Sequence, residues 1–259
     1  MKIGVCIKST PDTDTRIQIA DGGNGIADNG IKWIISPYDA FAIEEGVQLK
    51  EAGGGEVVLF SASERDVSKN LRDALALGPD RAVMVKDDLL GNADALGIAT
   101  VLAKAAEAEE IQILFTGKQA IDDDNVQVPA MLAELLGWPH VSFVTDLTVE
   151  GDSFTAVRSI GGGIEEVVKG NLPVVITAER GLNTPRYAKL PMIMKAKKKK
   201  LDTKSASDLG LSGDELAPAI ELSNFGPPPE RPAGRILEGD AATTAKELVR
   251  LLREEAKVL

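Results

Sequence analysis

The sequence predicts an α/β fold: a mostly parallel sheet with flanking helices, a small β-rich addition and an extended C-terminal arm. Four strand-like apolar runs, at residues 3–7, 56–62, 81–86 and 111–115, are separated by segments of helical periodicity at 38–52, 65–77 and 94–108. Repeated strand–helix–strand units build a parallel sheet through right-handed crossovers. Composition agrees. Hydrophobic residues make up 44% of the 259 positions but aromatic residues only 4%, which leaves Val, Ile, Leu and Ala to fill a core covered by helices on both faces. The pattern then changes twice, to short extended segments after residue 149 and to a Gly-, Ser- and Pro-rich stretch after residue 201.

Each element has a local reason. The chain opens as Met1-Lys2-Ile3-Gly4-Val5-Cys6-Ile7-Lys8, a strand pattern too short for a secretory signal. No run approaches the roughly 20 apolar residues of a membrane span, so a cytoplasmic location is expected. The single cysteine, Cys6, has no partner for an internal disulfide and reads as a small buried hydrophobe in a reducing compartment. In the first helical segment Phe41, Ile43, Val47 and Leu49 alternate with Glu44, Glu45 and Lys50, until Gly53-Gly54-Gly55 stops it. After residue 115 come a polar loop, an apolar helix over about 126–136 closed by Gly137, and another apolar stretch at 141–149. Residues 154–160, 164–168 and 174–178 are expected to form a meander-like set of extended segments, joined by Gly151-Asp152 and by Gly161-Gly162-Gly163.

Residues 182–200 set a short apolar cluster beside a cationic run in a chain of formal net charge −11. Pro185 and Pro191 each fix φ and lack an N–H, which places Leu190, Met192, Ile193 and Met194 on a loop or loop edge. An apolar anchor with a basic rim suits docking; the alternative is that Leu190 and Ile193 fold into the chain's own core while the lysines sit in water. Residues 202–232 are expected to bury little, with Pro227-Pro228-Pro229 their stiffest point. Residues 240–257 regain helical spacing through Ala245, Leu248, Leu251 and Leu252, behind Asp240 or Thr243 as N-cap. The chain divides accordingly into an α/β domain over 1–201, carrying the docking-type segment at 178–200, and an arm with a terminal helix over 202–259.

Groups that carry chemistry are few. The acidic balance repels phosphate backbones and no aromatic residues interleave with the lysines to stack on bases, so nucleic-acid binding is not expected. Gly117-Lys118-Gln119-Ala120-Ile121-Asp122-Asp123-Asp124-Asn125-Val126-Gln127 lies between a strand and a helix, where open parallel sheets bind ligands. Backbone N–H groups at the next helix start attract phosphate, and Gly117 allows close approach. Asp122, Asp123 and Asp124 oppose an anion unless they turn outward or bind ribose hydroxyls; a solvated acidic cap is the alternative. The segment matches neither Gly-x-x-x-x-Gly-Lys-Ser/Thr nor Gly-x-Gly-x-x-Gly, so phosphoryl transfer is unsupported. The three aspartates are expected to point in different directions and lack EF-hand spacing, which argues against a metal. His140, the only histidine, has no triad or zinc partners and reads as structural. Arg158, on a strand before the Gly161 turn, either reaches a partner or cofactor or is an ordinary strand-edge arginine. With no nucleophile and base in a motif, the chain does not read as a self-sufficient enzyme.

Taken together these segments resemble the electron transfer flavoprotein β-subunit family over nearly the whole chain. The resemblance rests on Val5-Cys6-Ile7-Lys8, Ser36-Pro37-Tyr38-Asp39, the Gly117 to Asp124 run, Arg158 with Gly162-Gly163, and Leu182-Asn183-Thr184-Pro185-Arg186-Tyr187 continuing into residues 190–200. It implies an adenine-nucleotide-binding, Rossmann-like domain in a heterodimer whose α subunit holds a redox-active FAD, while this chain binds AMP structurally. Electrons would enter from acyl-CoA or related dehydrogenases and leave to a membrane quinone oxidoreductase, with no insertion of this chain into the membrane. By the same resemblance, nucleotide contacts fall on Cys6, on Ser36, Pro37, Tyr38 and Asp39, on Ala62, and on Gly117, Lys118, Gln119, Ala120, Ile121, Asp122, Asp123, Asp124, Asn125, Val126, Gln127 and Val128. Dehydrogenase docking falls on Leu190, Pro191, Met192, Ile193, Met194 and Lys195, with Leu190 as the anchor, and the arm packs on the α subunit.

Two positions depart from the family pattern. Ser36 stands in place of the usual asparagine before the proline, and Ser159 stands where many relatives carry a charge. Electron-bifurcating relatives bind a second FAD instead of AMP and show Ile-Asp-Gly-Asp in the loop; Asp123 and Leu190-Pro191 fit the non-bifurcating type, since a side chain replaces the glycine that close cofactor approach needs. A nucleotide-binding stress-type protein without redox role is the other alternative, and the long arm argues against it.

Overall fold

The computed structural model describes residues 1–23, 25–230 and 233–259. In chain order its strands and helices are β1 (Lys2–Cys6), β2 (Ser9–Pro11), β3 (Trp33–Ile35), α1 (Pro37–Gly53), β4 (Glu56–Ser63), α2 (Ser68–Leu75), β5 (Arg81–Lys86), α3 (Ala95–Ala108), β6 (Ile113–Gly117), α4 (Val128–Leu136), β7 (His140–Glu150), β8 (Ser153–Gly161), β9 (Ile164–Asn171), β10 (Val174–Ala178), α5 (Leu190–Ala196), β11 (Leu201–Lys204) and α6 (Ala241–Glu254). Among the described residues the main sheet has nine strands in the order β11-β5-β4-β1-β6-β10-β7-β8-β9. The strands from β11 to β7 run parallel, and β8 and β9 are antiparallel additions. β2 and β3 form a separate antiparallel ribbon that the apolar pattern did not announce.

Strand alternation sends Ile3, Val5, Val57 and Leu59 to one face, against Ala42, Ile43 and Val47 of α1 and Leu71 and Leu75 of α2. Val58, Phe60, Val83 and Leu114 meet Ala99, Ala103 and Ala106 of α3 and Leu132 of α4 on the other. Local chemistry sets the helix ends: the Asp94 carboxylate accepts from the Gly97 N–H at 3.0 Å to start α3, and Gly137 at φ 66° closes α4 in the left-handed conformation. β1 has β4 on one side and β6 on the other, so the direction of strand addition reverses there and the carboxyl ends of β1 and β6 open a crevice.

The structure corrects three expectations. Residues 174–178 are not part of the meander: all are buried, and β10 lies parallel between β6 and β7, as suits an apolar run covered on both faces. The meander is β7, β8 and β9, with β7 pairing parallel to β10 at His140 and Val141 and antiparallel to β8 from Asp146 onward. Residues 190–196 are a helix and not a loop, because Pro191 sits in the first turn, where no intrahelical bond needs its missing N–H; the stretch around Pro185, residues 183–189, does stay irregular. The core continues past residue 201, since β11 pairs with β5 and Ala206, Leu211 and Leu216 are buried on the α3 side. From residue 217 the arm is exposed, with residues 231 and 232 of the expected span lying outside the described residues. Asp240, not Thr243, caps α6, accepting from the Thr243 N–H at 2.7 Å, and no residue of α6 is buried. Among the described residues no helix is long and apolar enough to cross a membrane.

Candidate functional site

The crevice is built where α1 begins. Asp39, in its first turn, accepts from the Lys8 N–H at 2.7 Å and the Gly117 N–H at 3.0 Å, so one carboxylate ties the ends of β1 and β6 together. Burial pushes that carboxyl up to about 7, while the two N–H groups and the Lys8 charge pull the other way. A Cβ on Gly117 would lie 2.5 Å from Asp39 Oδ1 and 2.8 Å from Tyr38 Cβ, so the close approach that this glycine permits is that of α1. Ser36 donates its N–H to the Lys8 carbonyl at 2.9 Å, and its buried Oγ has no partner.

The loop from 117 to 127 closes the other side. Lys8 Nζ reaches Asp122 at 2.9 Å and Asp123 at 3.0 Å, so two of the three aspartates converge on one cation where divergence was expected. Burial alone would lower the Lys8 ammonium; the two carboxylates overcome it and hold the group above its ordinary value. Asp124 turns to the Gln119 amide at 2.5 Å. Asp124 and Val126 have φ of 49° and 56°, left-handed conformations that a β-branched residue rarely adopts and that curl the backbone just before α4. Lys118 Nζ pairs with Glu179 at 2.7 Å and stands 4.7 Å from the Tyr38 ring centre. Ala62, near the end of β4, and Cys6, at the end of β1, lie toward the carboxyl ends of these strands, but both pack toward α3 and α4. The Cys6 thiol is raised by burial and then by Asp39, which makes it inert.

A second constellation follows β10. Residues 183–189 cross α1 as a strap: Asn183 donates to the Phe41 carbonyl at 3.0 Å and to Glu45 at 2.9 Å, and Arg186 forks onto Glu44 at 2.8 and 2.9 Å and onto Glu51 at 2.7 and 3.0 Å. Beyond it Tyr187 is 94% exposed, Leu190 73%, Met194 56% and Ile193 40%, with Pro191 and Lys195 exposed and Met192 half-buried. Leu190 and Ile193 therefore stand outside the chain's own core. Glu44, Glu45, Glu51 and Glu179 are partners that sequence reasoning missed; Glu44 and Glu45 read as polar positions of α1 but are buried, with partners supplied by the strap. His140 is partly buried, and its Nε2 has no partner; Arg158 donates to Ser142 Oγ at 2.9 Å and faces Glu166 at 3.6 Å. Among the described residues no acidic, His or Cys cluster could hold a metal.

The protein is of the open α/β class, with a crevice at the reversal point of its parallel sheet and, packed on α2, a helix that presents apolar side chains to solvent. The family model of the electron transfer flavoprotein domain matches residues 23–209. Similar proteins include the electron transfer flavoprotein subunit beta of Bacillus subtilis, 42% identical with both chains fully covered, and that of Mus musculus, 39% identical over 98% of this chain and 97% of the relative. That of Syntrophomonas wolfei is 36% identical over 100% of this chain and 98% of its own length. The chain belongs to the electron transfer flavoprotein family, on its β-subunit branch.

Proposed function

We propose that the chain is the non-bifurcating β half of a heterodimer that takes electrons from acyl-CoA or related dehydrogenases and delivers them to a quinone oxidoreductase. The observation that carries the docking part is Leu190, held outward on α5 beside exposed lysines. An apolar side chain entering a partner's pocket contributes about 1.5 to 3 kcal/mol, enough for a brief grip that leaves turnover fast. Assembly with an α subunit is supported by apolar surface that this chain leaves uncovered: Leu248 and Val249 on α6, and Ile164 and Val167 on β9, which forms the outer edge of the sheet.

The crevice fits AMP in its electrostatics. Lys8 neutralises much of Asp122 and Asp123, the charges that would otherwise repel a phosphate, and the curled backbone at Asp124 to Val126 leads into the start of α4. Asp39 orients both strand ends, and Lys118 holds the loop against Glu179. FAD, held mainly by the α subunit, supplies the electron-carrying ring; AMP supplies no chemistry and acts as scaffold. The test is co-expression with the α subunit and counting of released nucleotides, with one FAD and one AMP per heterodimer expected. A colourless assembled complex overturns the redox reading, and two FAD per heterodimer overturns the AMP assignment in favour of bifurcation.

A further inference from the structure

The lysines that follow α5 are not equivalent. Lys197 and Lys198 are exposed, and Lys200 pairs with Asp202 at 2.8 Å. Lys199 turns inward instead: its Nζ donates to the carbonyl of Leu75, the last residue of α2, at 2.9 Å and to that of Pro79, four residues beyond it. In return Arg72, from the last turn of α2, donates to the carbonyl of Ala196 at 2.8 Å and to that of Lys199, at the C-terminal end of α5. Each segment thus lends a cation to carbonyls at and just beyond the end of the other helix, where those of Leu75 and Ala196 hold only a long backbone bond, from the Gly78 N–H at 3.4 Å and the Lys199 N–H at 3.3 Å.

The need for this exchange is clear from α5 itself. It has seven residues, too few to persist alone in water, and only Ala196 is buried. Of its larger apolar side chains Leu190, Ile193 and Met194 face outward and Met192 is half-buried, so burial of its own surface does little to hold it in place. Partial burial is also the main cause holding the Lys199 ammonium below its ordinary value, with Lys50 and Lys195 adding to it against Asp80.

We propose that Lys199 and Arg72 exchange C-caps to fix the docking helix on α2, so that Lys199 is a positioning residue and not one of the charges that meet the partner. The proposal rests on the docking reading of α5 given above. It divides the cationic run into one internal strut and a set of surface charges.

The heterodimer carrying Lys199→Gln or Arg72→Gln is compared with Lys198→Gln and Leu190→Ala. Hydrogen exchange of the α5 amides is expected to quicken about tenfold in the first two and to stay unchanged in Lys198→Gln, because a lost cap lowers the cost of local opening. With an acyl-CoA dehydrogenase as electron donor, Lys199→Gln and Arg72→Gln are expected to raise the KM for the flavoprotein several-fold at unchanged kcat, with the salt dependence of the wild type. Lys198→Gln is expected to flatten that dependence, as loss of an exposed docking charge must. Wild-type exchange in α5 for both cap variants, or a flattened salt dependence for Lys199→Gln, overturns the proposal. If Lys199→Gln does not assemble, Arg72→Gln reports on the same pair of caps. A wild-type KM for Leu190→Ala would refute docking through α5, and the exchange measurement would still decide the caps.

Discussion

Asp39 is a buried carboxylate facing two backbone N–H groups, and burial outweighs them. Its folded value near 7 lies above the ordinary 3.8, so between those limits the folded chain binds more protons than the unfolded one. The group's contribution to stability is therefore complete below about pH 4 and is lost as the pH rises through about 7. Asp39→Asn is expected to flatten that part of the profile and to cost about 1 to 3 kcal/mol throughout, since Lys8 and Gly117 donate to separate carboxylate oxygens and the amide NH2 would face one of those donors. Thermal midpoints of wild type and variant at about pH 5 and about pH 8 check this; parallel profiles would show that Asp39 does not titrate in the folded chain. At Leu190, truncation to alanine is expected to lower kcat/KM with the dehydrogenase roughly ten- to a hundredfold, the burial worth of the side chain, while FAD and AMP content stay the same. An unaltered rate would remove Leu190 from the docking surface. The motifs that carry both residues were legible, but not the part that Asp39 plays in tying two strand ends, since its partners Lys8 and Gly117 lie on other segments. The pairing of buried Glu44 was not legible either, since its partner Arg186 lies 142 positions away and no local pattern encodes that.

At the scale of elements, periodicity made α1, α3 and α4 readable, because a face of apolar residues at helical spacing must be buried somewhere. It failed at α5, where nearly every large apolar residue faces solvent and a proline opens the segment, so that there is no inward stripe to read. The meander was misassigned by one strand for a related reason: β10, buried on both faces, shows the continuous apolar run that a single sequence cannot place within a sheet. The strap is the element where stability and presentation meet. Arg186→Ala is expected to cost about 2 kcal/mol or more, because it leaves the buried Glu44 carboxylate without its main partner, whereas Glu51→Ala, on an exposed side chain, is expected to cost under about 1 kcal/mol. Thermal unfolding of the two variants gives the order, and equal losses would place the strap's grip on the exposed fork.

The whole molecule is a three-layer body that satisfies its own core and then leaves three apolar features outside it: α5, the β9 edge and α6. The sequence hinted at the last of these through a polar stretch that ends in an amphipathic helix, but only the structure shows where the body stops. It stops late, because Leu211 and Leu216 still belong to the core, and the Ala219 and Phe225 N–H groups still bond to Asp94 at 2.9 Å and to the Gly23 carbonyl at 3.1 Å. Beyond that point α6 has Leu251 and Leu252 only half-covered, by Arg235, Leu237 and its own neighbours. A helix of 14 residues with its apolar side open is marginal in water, and a partner surface is what would order it. Removal of residues 227–259 is therefore expected to leave the circular dichroism of the remaining sheet and helices close to that of the full chain, and to leave cooperative unfolding intact. The same truncation is expected to abolish co-purification with the α subunit, and with it the flavin colour. Retention of a stable yellow complex by the shortened chain would mean that α6 and its arm do not hold the subunits together, and would shift assembly onto the β9 edge.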